Sequence, residues 1–211
     1  MKSTARLVAT AAALLTLTHF AYADEAASSA QQNEKVLIET NRGHIEVLLN
    51  AEKAPESVAN FLAYVDEGFY EGTLFHRTIP AFMIQGGGFD THMAKKPTKS
   101  AIINEADNGL KNLKGTIAMA RTGYPHSATS QFFINTKDNP FLDHTGKNPR
   151  GWGYAVFGKV TRGMDTVRAI ELSTTKVAGQ HKNLPVEPIV IQSITRIDSP
   201  QPKTKTKEVQ P

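Results

Sequence analysis

The chain has 211 residues and a formal net charge of +4, from 24 Lys and Arg against 20 Asp and Glu. Apart from Lys203, Lys205 and Lys207 the cations are scattered, a balance too weak to argue for nucleic acid as a partner. Cysteine is absent, which excludes a disulfide framework and a thiol nucleophile and leaves stability to an ordinary core.

Residues 1–23 read as an export leader. Lys2 and Arg6 precede an Ala/Leu-rich apolar run over 7–20, and Ala21-Tyr22-Ala23 is a small-x-small cleavage site, so the mature chain is expected to start at Asp24. The run is too short for roughly 30 Å of hydrocarbon and is broken by Thr residues and His19, which argues against a membrane anchor. With neither a lipid-carrying Cys nor a twin Arg, the expectation is a soluble exported protein of a bacterial periplasm. Residues 24–34 are rich in Ala, Ser and Gln, and 199–211 in Pro, Lys and Thr. Both are expected to be disordered, leaving one domain over 35–198.

Within that domain, 36–40 and 44–49 flank Asn41-Arg42-Gly43, a hairpin signal. Pro55 suits the first turn of a helix. Val58, Phe61, Leu62 and Val65 then form one apolar stripe, and Gly68 closes the helix. Strand-like stretches follow at 74–79, 82–85, 115–121, 131–136, 154–160 and 189–197. A second short helix is expected over 164–172, with Met164, Val167 and Ile170 as its apolar members. Many short strands and two isolated helices point to a mainly β fold, an antiparallel barrel or sandwich with helical caps.

Two segments carry candidate chemistry. The first sets Phe75-His76-Arg77 before Phe82-Met83, the amide Gln85 and Gly86-Gly87-Gly88. The second, Ser130-Gln131-Phe132-Phe133-Ile134-Asn135, adds aromatic surface and another amide. A permanent cation beside large apolar side chains suits a mostly apolar ligand with one polar edge, such as a proline within a peptide. With Gly115-Thr116-Ile117-Ala118-Met119-Ala120, Phe141-Leu142-Asp143 and Val156-Phe157-Gly158-Lys159-Val160 in the same order, these blocks resemble the cyclophilins, the cyclosporin-binding family of peptidyl-prolyl isomerases. Asn104-Glu105-Ala106-Asp107-Asn108-Gly109-Leu110 is similar to their bacterial exported branch.

The resemblance implies a closed eight-stranded antiparallel barrel with a helix at each end. It implies peptidyl-prolyl cis-trans isomerase activity (EC 5.2.1.8) during folding of exported proteins. The partners would be proline-containing peptides and unfolded exported proteins, with no cofactor, metal, membrane or nucleic acid; a monomer is the default. Matched residue by residue, Arg77 is the catalytic guanidinium, with Phe82 and Gln85 beside it. Met83, Phe133 and Leu142 complete the proline pocket. Gln131, like Gln85, stands where substrate backbone is hydrogen-bonded, and Ala120, Arg121 and Thr122 form the edge along which an extended peptide pairs.

Three positions depart from the family pattern. Phe141 stands where Trp is common, and the only Trp, Trp152, lies in the following loop. Loss of the indole N–H removes a donor to cyclosporin, so weak binding of that drug is expected. Tyr154 replaces a pocket His and Arg121 a usual Asn, changes expected to shift the preference for the residue before proline. His76 is expected to be a structural, hydrogen-bonded residue, because isomerisation needs no proton transfer.

Other functions fit less well. Gly86-Gly87-Gly88 follows a strand, yet Thr91 stands where a dinucleotide fingerprint needs its third Gly and Lys95-Lys96-Pro97 follows in place of a helix. The glycines instead suit close backbone approach at a barrel bend. His44, His76, His92, His126, His144 and His181 show no metal-ligand spacing, and G-x-S-x-G is absent. The alternative of substance is a non-enzymatic proline-peptide binding module of the same fold. Such a binder needs the pocket but not Arg77. A scaffold role for the Lys203 to Lys207 tail has only those charges behind it.

Overall fold

The computed structural model describes residues 34–197. The expected leader and cleavage site, the linker up to residue 33, the last residue of the expected domain (Asp198) and the tail over 199–211 lie outside the described residues. Glu34, assigned above to the linker, is tied into the fold, its carbonyl accepting from Leu49 N at 2.8 Å.

The hairpin forms as read: β1 (Lys35–Thr40) and β2 (Gly43–Leu49) pair antiparallel, Thr40 opposite Gly43. Thr40 Oγ1 accepts from Arg42 N and donates to Gly43 O, closing the turn. Helix α1 (Pro55–Asp66) begins at the proline, but its first residues offer no side-chain cap. Glu105 supplies one from a distant loop, its carboxylate accepting from Glu56 N at 3.0 Å and Ser57 N at 2.8 Å. A negative charge there also complements the helix dipole.

The remaining elements are β3 (Thr73–Ile79), β4 (Met83–Asp90), β5 (Thr116–Met119), β6 (Phe132–Asn135), a 3-10 turn (Pro140–Leu142), β7 (Val156–Arg162), α2 (Met164–Glu171), β8 (Thr175–Ala178), β9 (His181–Pro185) and β10 (Val190–Ile197). Eight strands close into an antiparallel barrel in the order β1-β10-β3-β4-β6-β5-β7-β2, while β8 and β9 form a separate hairpin. That hairpin was not expected: its Lys, His and Asn residues dilute the β-branched signal that marks the barrel strands. The six expected strands all shift by a residue or more at one end or both, β4 the furthest. β4 continues through all three glycines to Asp90, and β6 starts only at Phe132, leaving Gln131 just outside it.

Alternation along the strands sorts the side chains. Val36, Ile38, Ile45, Val47 and Leu49 point into the barrel with Ile84, Ile117, Phe132, Ile134 and Phe157. The α1 stripe, Val58, Phe61, Leu62 and Val65, joins that core. Phe61 meets Tyr70, Phe132 and Phe157 with ring centroids 5.3, 5.6 and 5.3 Å away. Val167 and Ile170 of α2 enter the same core. Helix α2 sits at the end bearing the β1–β2 and β3–β4 turns, with Thr166 against Gly43 and Glu171 accepting from Ala81 N. The three glycines make room, but only Gly86 meets the expected backbone, the Leu74 carbonyl; side chains fill the space at the other two. At Gly87, with φ of 80°, a Cβ would lie 2.8 Å from Tyr70 and 3.0 Å from Phe132; at Gly88 it would lie 2.5 Å from the Gln131 side chain.

Candidate active site

Outward-facing residues of the same strands, joined by Leu142 from the short 3-10 turn (Pro140–Leu142), make a second, smaller apolar cluster of Met83, Ala118, Phe133, Leu142 and Val156, with Phe82 and Tyr154 against it. The register builds its centre. Arg77 lies opposite Gln85, Gln85 opposite Phe133, and Phe133 opposite Ala118, so one row crosses β3, β4, β6 and β5 on the outer face.

A cavity of about 180 Å³ opens over this row. Arg77 and Gln85 supply its polar wall, and Phe82, Met83, Phe133 and Leu142 its apolar one. Ala120, Arg121 and Tyr154 form the far rim. The half-buried Arg77 donates from Nη1 to Gln85 Oε1 at 3.2 Å, and its guanidinium carbon is 5.9 Å from the Phe82 ring centroid. Gln85 Nε2 donates in turn to Gln131 Oε1 at 2.9 Å, and Gln131 occupies the space that Gly88 leaves without a Cβ. This chain of amides fixes the direction of the guanidinium, which pairs with no carboxylate among the described residues. Burial draws the Arg77 pKa below the usual arginine value, with Tyr154 opposing that pull, yet an arginine stays charged at neutral pH.

Three of the expected residues stand away from the cavity wall. Gln131 lies behind Gln85. Phe141 is 72% exposed and packs on the Phe82 ring at 5.6 Å, an outer flap on the pocket. Thr122 is exposed and closes a turn with Ser127, which accepts from its N–H at 3.0 Å. Tyr154 stands edge-on to Phe133 at 5.6 Å, and the Arg121 guanidinium lies 4.6 Å from the Tyr154 ring centroid.

His76 departs from its expectation in one respect. It is buried, with its ring 4.7 Å from that of Phe89, but Nδ1 has no hydrogen-bond partner among the described residues. Burial pushes its pKa down to about 4, which keeps it neutral at physiological pH.

Sequence reasoning missed the supports of the pocket. Asn139 Nδ2 donates to Phe82 O at 2.9 Å and to Asn135 Oδ1 at 2.8 Å. Asn135 Nδ2 donates to Asn112 Oδ1 at 3.2 Å, and Asn112 Nδ2 to Leu142 O at 3.2 Å. Three buried amides thereby join the two walls. Nothing local in the sequence marks them: Asn112 and Asn139 stand in loops, where Asn reads as a turn former, and Asn135 ends a strand with no sign of where its amide turns. A larger cavity of about 600 Å³ lies behind the β3–β4 turn against α2 and contains none of the expected site residues.

Fold and site together define an antiparallel barrel that presents a fixed cation and two apolar walls on its outer face. The family model described as cyclophilin type peptidyl-prolyl cis-trans isomerase matches residues 35–196, and the chain belongs to that family of enzymes. It is 58% identical over 158 residues to a peptidyl-prolyl cis-trans isomerase of Streptomyces antibioticus, covering 75% of this chain and 95% of that one. It is 52% identical over 188 residues to peptidyl-prolyl cis-trans isomerase A of Dickeya dadantii, covering 89% and 95%. Peptidyl-prolyl cis-trans isomerase B of Escherichia coli is 54% identical over 160 residues, covering 76% and 98%. Among solved structures, the cyclophilin type isomerase of Cryptosporidium parvum superposes with a TM-score of 0.65 at 29% identity, covering 80% of this chain and 100% of that one. The same protein has been crystallised in the presence of the dipeptide Ala-Pro.

Proposed function

We propose that this isomerase accelerates rotation about X–Pro bonds of exported proteins, with Arg77 as the catalytic group. Amide resonance sets a barrier of roughly 20 kcal/mol for the uncatalysed rotation, which takes tens of seconds or more. No covalent bond to the peptide has to break. As the amide twists, the prolyl nitrogen regains a lone pair and becomes a hydrogen-bond acceptor. A guanidinium aimed at that nitrogen stabilises the twisted state and not the planar one, which is the condition for catalysis.

The observation that carries this reading is the placement of Arg77. It is half-buried and held by Gln85, with donors left over beside an apolar recess walled by Phe82, Met83, Phe133 and Leu142. A recess of this composition seats a pyrrolidine ring, and Met83 adapts to its shape. The Ala-Pro dipeptide used with the Cryptosporidium parvum relative supports a proline-containing ligand here too. On this reading Gln85 and Gln131 serve substrate backbone as well as Arg77, and Ala120 to Thr122 pair with the extended peptide.

NMR exchange on an Ala-Pro-Phe peptide tests the assignment. Arg77→Ala is expected to abolish most of the acceleration while peptide affinity falls much less. Equal loss of affinity and rate would mean that Arg77 binds ground and transition states alike and that the protein works as a binding module. Export rests on the Lys2–Ala23 pattern. N-terminal sequencing of the protein from the periplasm should begin at Asp24, and an intact Met1 on cytoplasmic protein would reject it.

A further inference from the structure

The active-site cavity is lined by two guanidinium groups, Arg77 and Arg121, and by no acidic side chain. The second of these has no task in the chemistry above. Arg121 is pinned on three sides: Nε donates to Gly153 O at 2.9 Å, Nη1 to Thr122 O at 2.9 Å, and one face of the group lies on the Tyr154 ring at 4.6 Å. A guanidinium has five N–H donors, all in its plane. Two are used and stacking covers only a face, so Nη2 keeps its in-plane donors without a partner among the described residues. No carboxylate among them lies within ion-pair distance of Arg121.

A planar donor edge that is already immobilised loses little side-chain entropy when it meets a carboxylate, whose two oxygens match it. We propose that Arg121 makes this enzyme prefer substrates with an Asp or Glu directly before the proline. The inference rests on the functional reading above, in which the Ala120 to Thr122 edge pairs with the extended peptide, and on the sequence expectation that Arg121 shifts the preference for the residue before proline. Arg77 adds a positive field but is turned to Gln85 and the apolar recess. The pair with Arg121 is the same for planar and twisted amide, so the preference belongs in KM and not in kcat.

The test is a series of peptides that differ only before the proline, carrying Glu, Gln or Lys, assayed with the native enzyme and with Arg121→Gln. The native enzyme is expected to favour Glu over Lys in kcat/KM by about tenfold at low salt, equivalent to about 1.4 kcal/mol. Gln should fall between them, and the gap should narrow at high salt. In Arg121→Gln the ratio should move toward unity, whereas Arg121→Lys should retain part of it. Because each ratio is taken within one preparation, partial misfolding of a variant cancels. Equal kcat/KM for the three peptides in the native enzyme overturns the proposal, as does a preference that survives Arg121→Gln or appears only for charges placed after the proline. Failure to accelerate any of the peptides would instead reject the functional reading itself.

Discussion

Inside the barrel and on its outer face at β3, β4, β6 and β5, neighbouring residues of the same strands meet opposite conditions. Phe132 and Ile134 face inward among fully buried residues, with Phe61 and Phe157 filling the remaining space. Phe133, between them in sequence, faces outward into a cluster that is small and left open, where Arg77, Gln85 and Arg121 border the gap. The inner-facing side chains are buried against one another. The outer face is packed well enough to hold its rings and amides in place, and open enough to leave a cavity of about 180 Å³, which the proposed function fills with a pyrrolidine. A pleated strand, with its period of two, delivers stability to one side and chemistry to the other.

The largest test of that contrast is Phe61→Ala. Emptying the middle of the inner core should cost about 3–5 kcal/mol in urea unfolding, while the folded fraction keeps its turnover. Arg77→Ala should do the reverse. Turnover should drop by about two to three orders of magnitude, as when one preorganised donor is removed elsewhere. Unfolding free energy should change by less than about 1 kcal/mol. A comparable loss of stability would mean that the open face also holds the barrel together.

A smaller effect separates the faces by pH. His76 titrates at its ordinary 6.5 when unfolded and at about 4 when buried. Between those values the unfolded chain binds more protons, so stability is fullest above the ordinary value and falls as pH drops through that window, by up to roughly 3 kcal/mol. Turnover of the folded enzyme should stay flat over about pH 6 to 8, because the proposed mechanism moves no proton and uses no titrating group. His76→Phe should flatten the stability curve, and a bell-shaped rate profile near neutrality would assign His76 a chemical role. The smallest effect concerns the exposed flap. Phe141→Trp restores an indole donor beside Phe82, and calorimetry should find cyclosporin bound roughly tenfold more tightly, the worth of one hydrogen bond.

Much of the barrel could be read in advance where a local rule decided it. The Asn41-Arg42-Gly43 turn, Pro55 at the head of α1 and its apolar stripe each follow from neighbours in the chain. The β8–β9 hairpin escaped notice because its strands are polar, and packing beside β3, not composition, holds it there. The extension of β4 through Gly86, Gly87 and Gly88 was hidden for a related reason. Glycine reads as a breaker, whereas here its missing Cβ admits Tyr70, Phe132 and Gln131. At the site, the side chains around the cavity were legible as a motif, but their arrangement was not. Thr122 turns to Ser127, and Gln131 backs Gln85 from behind.

By itself the sequence determined which residues alternate, where turns must fall and that one cation stands among aromatic and thioether side chains, because these are local properties of spacing and residue type. Only the tertiary structure decided that Arg77, Gln85 and Phe133 share one row, that Glu105 caps a helix far away in the chain, and that Asn112, Asn135 and Asn139 tie the pocket walls together. Those depend on strand register and on buried polar groups finding partners, and both are fixed only when the barrel closes.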